Sequence, residues 1–134
     1  MCVKINIKTT QYDNNGNKDI IKISSTGKLY EKNGDIYILY KEEETGISNT
    51  IKVSDNQVSI KRFGNINSNM VFKNGEKNIT KYRMQQGIFL IETYTNNLHI
   101  NIYKNKSMKI YIDYNIKIKD IFEGRNEVDI EINI

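Results

Sequence analysis

The sequence lacks proline, alanine and tryptophan, and it has one cysteine and one histidine. Alanine is the strongest helix former, so its absence disfavours helices. Proline donates no ladder hydrogen bond, and a chain without it is free to form central strands throughout. Isoleucine, tyrosine and threonine are abundant, and these residues fit pleated, half-buried surfaces. The composition therefore predicts an all-β protein.

The single cysteine, Cys2, excludes an intramolecular disulfide and favours a reducing compartment. Residues 1–10 alternate between polar and apolar types and contain no hydrophobic region of a signal peptide. No segment approaches the roughly 20 apolar residues that a membrane helix needs. We therefore expect a soluble, cytoplasmic protein with no membrane partner.

The chain has 134 residues and a formal net charge of +4, which fits one domain over residues 1–134. Its lysines are scattered, whereas a nucleic-acid interface needs a localised basic stripe. Nucleic acid is therefore not the expected partner. The nine tyrosines, with lysines between them, leave a stacking platform for single strands as a less favoured alternative.

Alternation of apolar and polar residues dominates the sequence, and residues 108–118 show it most clearly. Such a period of two is typical of a strand with one buried and one solvated face. Residues 3–8 and 127–134 repeat the pattern. All three segments are therefore predicted to be strands of one sheet.

The two terminal strands carry opposite charges on their polar faces. Lys4 and Lys8 lie near one end of the chain, and Glu127 and Glu131 lie near the other. Opposite charges directly across a strand pair stabilise it modestly. We therefore predict that a barrel closes through its ends, with Lys8 near Glu127 and Lys4 near Glu131.

Turn signals recur at short intervals along the chain. They are Asn14-Asn15-Gly16-Asn17, Asn33-Gly34, Thr45-Gly46, Asp55-Asn56, Asn74-Gly75, Gln86-Gly87, Asn96-Asn97 and Gly124. Asn-Gly pairs supply the positive φ angles that two-residue hairpins require. Connections this short exclude parallel crossovers. Because closure removes exposed sheet edges, we predict an antiparallel up-and-down barrel of eight to ten strands.

Short motifs along nearly the whole chain resemble a known family. They are Asp19-Ile20, Thr26-Gly27-Lys28-Leu29-Tyr30, Tyr37, Tyr40, Glu42, Thr50-Ile51-Lys52, Ile60, Arg62, Gly64, Met70, Phe72, Gly75, Tyr82, Gly87, Thr93 and Asn126-Glu127-Val128-Asp129-Ile130-Glu131-Ile132. In this order they resemble the YwiB-like family of bacterial proteins, a domain of unknown function. The resemblance implies a calycin (lipocalin-like) β-barrel, and it implies no established reaction, cofactor or catalytic residue.

The sequence departs from the family pattern at one turn. Where the family has a Thr-Pro-aromatic-Gly turn, this chain reads Met84-Gln85-Gln86-Gly87. The turn glycine is kept and the rigid proline is lost. The resemblance therefore predicts the fold in this region but not the conformation of the loop.

Strand parity selects four residues as a candidate ligand site. Tyr40 and Glu42 continue the inward face of one predicted strand, Arg62 continues that of another, and Tyr82 faces inward from a third. An isolated charge in a dry interior is very costly, so Glu42 and Arg62 are expected to interact. Three interpretations remain open: a pair at the barrel rim that reaches water, a buried structural pair, or a cluster that anchors a ligand. If Arg62 keeps free donors, the natural ligand is a carboxylate or phosphate.

No catalytic or metal-binding constellation is visible in the sequence. His99 is predicted to face solvent and has no second histidine or cysteine nearby. Cys2 shows no electropositive setting that would activate a thiol. The sequence therefore predicts no enzyme activity, no metal and no cofactor.

The function that the sequence favours is noncatalytic binding of a small ligand in the barrel interior. Barrels of about eight strands have room for packed side chains or for one small ligand, and this inference rests on analogy of fold. The alternative is a protein- or RNA-binding module that uses the outer barrel surface. The sequence does not specify the oligomeric state.

Overall fold

Ten strands and no helix make up the computed structural model, which describes residues 1–134. They are β1 (Cys2–Asp13), β2 (Lys18–Lys32), β3 (Asp35–Lys41), β4 (Ser48–Ser54), β5 (Gln57–Phe63), β6 (Ser68–Phe72), β7 (Lys77–Met84), β8 (Gly87–Ile102), β9 (Met108–Ile118) and β10 (Phe122–Asn133). The structure contains no helix with the length and hydropathy needed to cross a membrane. The all-β prediction is confirmed, with a strand number at the top of the predicted range.

The strands form one antiparallel sheet in the order β6-β5-β4-β3-β2-β1-β10-β9-β8-β7. Each strand therefore pairs with its neighbours in the chain, except that β6 does not form a ladder with β7, and β1 also pairs with β10. The sheet curls until β6 meets β7, where Asn67 and Arg83 form an isolated bridge. Their backbone groups exchange two hydrogen bonds of 3.0 and 2.9 Å. The result is a nearly closed up-and-down barrel, as the sequence predicts.

The pairing of the terminal strands is confirmed, but the predicted register is wrong by two residues. Lys8 lies opposite Asp129 instead of Glu127, and Lys4 lies opposite Asn133 instead of Glu131. A shift of two residues keeps every side chain on the same face of the sheet. The apolar faces therefore permit both registers, and cross-strand charge pairs are too weak to choose between them.

The weakest junction of the barrel lies away from the paired termini. The ends of the sheet are β6 and β7, in the middle of the chain. Two side chains replace ladder bonds along this seam: Asn78 Nδ2 donates to the Val71 carbonyl at 3.2 Å, and Thr80 Oγ1 donates to the Asn69 carbonyl at 3.1 Å. The β6–β7 seam is therefore held by side chains as much as by backbone.

Two of the predicted turns lie inside strands. Asn96-Asn97 is a bulge in β8, where the Asn96 side chain bonds outward to Asp113 and Asn115. Gly124 lies within β10, and a Cβ atom there would stand 2.5 Å from the Tyr12 carbonyl oxygen. Both positions carry turn-forming residues for other reasons, namely a bulge and a close approach of two backbones.

Three turns of the structure are missing from the predicted set of turn signals. They lie between β5 and β6, between β8 and β9, and between β9 and β10. Lys106 and Asp120 supply the positive φ angles in the last two, at 73° and 63°. Lysine is not a strong turn former, and Asp120 has no neighbouring glycine or asparagine to strengthen its signal, so the sequence did not reveal these two turns.

The interior differs between the two ends of the barrel. At the end where β1 begins, which we call the apolar end, a core of buried residues fills the interior. Its members are Val3, Ile5, Leu29, Ile38, Ile51, Val53, Val58, Phe72, Leu98, Met108, Ile110, Ile112, Tyr114, Val128, Ile130 and Ile132. Toward the other end, which we call the polar end, the buried inward side chains include the polar residues Asn49, Ser68, Thr80, Thr93, Thr95 and Asn126.

Tyr114 marks the boundary between the two ends. Its ring packs against Phe72 with centroids 4.7 Å apart, which fills the barrel at this level. Its hydroxyl accepts a hydrogen bond of 3.0 Å from Asn126 Nδ2. One side of this tyrosine therefore belongs to the apolar core, and the other begins the polar end.

Candidate functional site

Glu42 is held in place by the turn that ends β3. The Glu42 backbone N–H donates to the Ile47 carbonyl, and the Gly46 N–H donates to the Glu42 carbonyl, both at 2.9 Å. Gly46 has a φ of 71°, which favours glycine. The Thr45 hydroxyl adds a bond of 3.3 Å to the Glu42 carboxylate. The carboxylate is thus fixed at the rim of the polar end by its own turn.

Arg62 reaches this carboxylate from β5, and the predicted interaction is confirmed. Arg62 Nη2 lies 3.0 Å from Glu42 Oε2, and Nη1 donates to the Tyr82 hydroxyl at 3.1 Å. The side chains of Arg62 and Glu42 are 28% and 20% exposed. The pair is therefore half-buried at the rim, in contact with water but partly shielded from it.

The contact between Arg62 and Tyr82 also spans the β6–β7 seam. Arg62 is on β5 and Tyr82 is on β7, so the hydrogen bond passes over β6 on the inner side. The same guanidinium therefore links Glu42 at the end of β3 to the far side of the seam.

Asn49 is a fourth member of this cluster that the sequence argument missed. Its Nδ2 donates to Glu42 Oε2 at 2.7 Å, and the residue is buried. Asn49 continues the inward face of Ile51 and Val53, so the parity that selected Arg62 was a signal for it too. An inward asparagine next to a carboxylate supplies a donor that the carboxylate needs.

The environment of Glu42 lowers the pKa of its carboxyl group. Burial acts to raise the pKa, but the hydrogen bond from Asn49 and the charge of Arg62 outweigh it. Glu42 is therefore a carboxylate at neutral pH, and it can act only as an acceptor.

Tyr40 lies beside the cluster without joining its hydrogen bonds. Burial is the main cause that raises the pKa of Tyr40 to about 12, and the charge of Glu42 adds to it. Of the two tyrosines expected near the charged pair, the structure joins Tyr82 to Arg62 and leaves Tyr40 as a neighbour.

Two buried hydroxyl groups of the polar end have no hydrogen-bond partner. They are Ser68 Oγ and Thr95 Oγ1. Ser68 pairs with Arg62 in the β5–β6 register, so its hydroxyl lies on the same inner wall as the guanidinium. Buried hydroxyls are rarely left unpaired in folded proteins. This part of the interior therefore has hydrogen-bonding capacity that the chain itself does not use.

A second polar cluster lies on the outer wall, and the sequence argument missed it. The hydroxyls of Tyr12 and Tyr111 both donate to the Glu127 carboxylate, the first at 2.6 Å. Arg125 donates to both oxygens of Asp113, at 2.9 and 3.0 Å. Asp113 faces outward as its parity predicts, but its carboxylate is paired with Arg125 instead of being free in solvent. The β9–β10 register places two acids, Glu127 and Asp113, opposite each other, and no local sequence pattern reports this opposition.

This outer cluster shifts the ionisation of its members in a consistent way. Burial and the hydrogen bond to Glu127 raise the pKa of Tyr111 to about 12. The hydrogen bonds from Tyr111 and Tyr12 lower the pKa of Glu127. These shifts follow from mutual stabilisation inside a network, so the cluster is a brace across β1, β10 and β9.

The remaining candidates stand apart from both clusters. His99 lies on the outer wall, with its ring 6.5 Å from that of Tyr111. Cys2 is exposed. No three side chains of the His, Cys, Asp or Glu types converge in a way that would hold a metal ion.

Comparisons with known proteins agree with this architecture. A family model described as a domain of unknown function (DUF1934) matches residues 5–130. The uncharacterized beta-barrel protein YwiB of Bacillus subtilis (strain 168) is 28% identical over 120 residues, which cover 88% of this chain and 83% of the relative. The crystal structure of the ywiB protein from Bacillus subtilis superposes with a TM-score of 0.88 and 25% identity, covering 98% of this chain and 90% of that one.

Proposed function

This chain belongs to the family of the domain of unknown function DUF1934, and from that premise we propose that it is a noncatalytic, calycin-like barrel that binds a small anionic ligand at its polar end. The proposal places it in the bacterial cytoplasm, which its single unpaired cysteine supports. The ligand would meet Arg62 first, with Tyr40, Glu42 and Tyr82 around it.

The observation that carries the proposal is the unused hydrogen-bonding capacity around Arg62. Its guanidinium has five N–H donors, and the protein engages only Nη1, with Tyr82, and Nη2, with Glu42. The Nε donor makes no hydrogen bond within the protein, and the buried Ser68 hydroxyl has no partner either. A carboxylate or phosphate fits such a set, because a guanidinium offers it paired donors.

Glu42 supports this arrangement by orienting Arg62 without occupying all of it. Asn49 and Thr45 donate to the same carboxylate. Glu42 therefore accepts hydrogen bonds from only one terminal nitrogen of Arg62, Nη2. A positioned guanidinium loses less side-chain entropy on binding than a mobile one. The ion pair therefore prepares the site for a ligand. The ligand would contact the N–H groups of the guanidinium that the protein does not engage.

The polar end also offers a way in. Ile21 and Ile23 lie on the inward face of β2, since they pair with Thr9 and Ile7 of β1. They are nevertheless 45% and 40% exposed. The inner wall is therefore open to solvent on this side, which a binding site that exchanges its ligand requires.

Native mass spectrometry of the freshly purified chain tests the proposal. We expect a mass above that of the chain, which disappears in Arg62→Leu and remains in Arg83→Gln. Arg83 is the matched control, because its side chain makes no hydrogen bond or ion pair and its backbone alone holds the seam. Inorganic phosphate and acetate should also raise the melting temperature of the wild type more than that of Arg62→Leu. A bare chain mass, with no shift by either anion, would contradict the proposal.

A further inference from the structure

One half of β2 has a strand on one side only. β2 pairs with β1 from Lys18 to Lys28, but β3 accompanies it only from Gly27 to Lys32. β3 stops at Lys41 because the turn that holds Glu42 reverses the chain there. Residues 18–26, which we call the free edge, therefore pair with β1 on one side and with no strand on the other.

The register tells which backbone groups point out of the free edge. Met1 and Leu29 exchange hydrogen bonds in both directions, and the β1–β2 register continues from them without a bulge. In an antiparallel ladder such exchanging pairs alternate with non-bonded pairs. Ile20, Lys22 and Ser24 fall in the non-bonded positions, so their N–H and C=O groups point away from β1. No strand partner meets them.

The side chains of the free edge are exposed on both faces of the sheet. Ile21 and Ile23 face inward and Ile20 faces outward, and all three are exposed by 40% or more. Inward isoleucines are normally covered by the neighbouring strand, which is missing here. A segment laid along the edge would therefore gain backbone hydrogen bonds and bury apolar surface together.

The outer face beside this edge is basic and unpaired. Its outward lysines are Lys4, Lys8, Lys18, Lys22 and Lys28. Nine ion pairs join side chains elsewhere in the protein, and none includes any of these five. By contrast, Lys109 and Lys117 on β9 each have a glutamate partner. Asp129 lies across the β1–β10 ladder from Lys8, but Lys18 and Lys22 on the free edge itself have no acidic residue opposite them.

We propose that the free edge binds an extended acidic segment of another protein as an additional β-strand. Alternate residues of that segment would be acidic on the outer face, beside Lys18 and Lys22, and apolar on the inner face, against Ile21 and Ile23. Backbone bonding along an exposed edge supplies affinity in such complexes, and the alternate side chains supply selectivity.

Two other occupants fit the free edge less well. A second copy of this chain would bring its own lysines to the same outer face, and like charges across a strand pair are destabilising. A single-stranded nucleic acid needs aromatic platforms, and residues 18–26 contain no aromatic residue. The nearby Tyr12 ring is already covered by the Arg125 guanidinium, 5.1 Å from its centroid.

The test uses a fluorescein-labelled synthetic peptide of alternating glutamate and valine, with a lysine–valine peptide as its charge-reversed control. Fluorescence anisotropy measures binding to the full chain at low salt. We expect the acidic peptide to bind and the basic one to fail. Ser24→Pro should weaken binding about tenfold, because proline removes one backbone donor from the edge.

Ser24→Ala is the matched control for the proline variant. Both substitutions lose the bond from the Ser24 hydroxyl to Asn6, but alanine keeps the edge N–H. Equal melting temperatures would show that any difference in binding arises at the edge. A second variant, Lys22→Glu, should lose the acidic peptide and gain the basic one without touching the backbone.

Several results would overturn the proposal. They are no binding of the acidic peptide, equal binding by Ser24→Pro and Ser24→Ala, and displacement of the peptide by oligouridylate with tighter binding of the RNA. Self-association of the wild type that Ser24→Pro abolishes would assign the edge to a second copy. Arg62→Leu should leave peptide binding unchanged. The peptide-binding edge and the anion site are therefore tested independently.

Discussion

The apolar and polar ends of the barrel are built from the same ten strands, yet they hold their interiors together differently. At the apolar end, isoleucine and valine side chains pack without hydrogen-bonding needs, and Ile38, Val58 and Ile112 are fully buried. At the polar end, Glu42, Arg62 and Tyr82 bond to one another, while the hydroxyls of Ser68 and Thr95 bond to nothing. The contrast teaches that one end can supply the stability of the fold while the other keeps polar groups available.

The largest expected effect comes from placing a charge at the apolar end. Ile112→Asp buries an unpaired carboxylate at the centre of the core and should cost more than about 4 kcal/mol, enough to unfold the chain. The neighbouring Asp113→Asn changes the outer wall and weakens a partly exposed ion pair with Arg125, so it should cost about 1 kcal/mol. Urea denaturation compares the two, and equal midpoints would remove the distinction between inner and outer faces.

At the polar end, the Glu42–Arg62 pair should show a smaller coupling. The pair is half-buried and forms charged hydrogen bonds, so we expect about 1–3 kcal/mol, between the values for exposed and buried pairs. A double-mutant cycle with Glu42→Gln and Arg62→Leu measures it. A coupling near zero would mean that water screens the pair completely, and the rim would then contribute nothing to the fold.

The β6–β7 seam should respond locally to the loss of one side-chain bond. Thr80→Val leaves the Asn69 carbonyl without its donor and should cost about 1 kcal/mol. Because this seam has one backbone bridge, we also expect faster hydrogen exchange in β6 and β7 than in β1 and β10. A uniform change in exchange across all strands would show that the seam does not open independently.

Alkaline pH should reveal the contribution of Tyr40 to stability. The pKa of Tyr40 is raised to about 12 from 10.0, so the folded chain holds the phenolic proton more tightly than the unfolded chain does. Its contribution to stability is present below pH 10 and is lost as the pH rises toward 12. Tyr40→Phe should therefore lose less stability between pH 8 and pH 11 than the wild type. Equal losses would assign the alkaline effect to other groups, of which Tyr111, with a pKa of about 12, is the first to test.

The smallest expected effect is a gain in stability, where the other substitutions are expected to cause a loss. Thr95→Val replaces a buried, unpartnered hydroxyl with a methyl group of the same shape. Removing an unsatisfied polar group is neutral or stabilising, so we expect a gain of up to about 1 kcal/mol. A clear loss in stability would mean that a bound water or ligand satisfies this hydroxyl in solution.

Much of the architecture was predictable because alternation reports which face of a strand is buried. Parity placed Tyr40, Glu42, Arg62 and Tyr82 on inner faces, and all four lie there. Parity cannot report register, since a slip of two residues preserves every face. This is why Lys8 was assigned to Glu127 when Asp129 is its neighbour.

The remaining misses share another physical cause. The Asn96 bulge, the close approach at Gly124 and the brace around Glu127 all depend on which strands are neighbours, and that is a property of the folded sheet. Local sequence treats asparagine and glycine as turn formers and treats acids on an outer face as solvated. Only the register between β9 and β10 shows that Asp113 and Glu127 stand opposite each other and require Arg125 between them.

The β1–β10 ladder has a consequence for the order of folding. Its partners are distant in the chain, as with Tyr12 and Arg125, and the Tyr12 hydroxyl bonds across the ladder to Glu127, 115 positions away. The β1–β2 and β9–β10 hairpins close short loops and can form early, whereas joining them requires a large loss of chain entropy. Until that step, β1 and β10 are unpaired edges lined with alternating isoleucines, the type of edge that pairs with other chains. A delay in forming the β1–β10 ladder during synthesis would therefore expose the chain to aggregation.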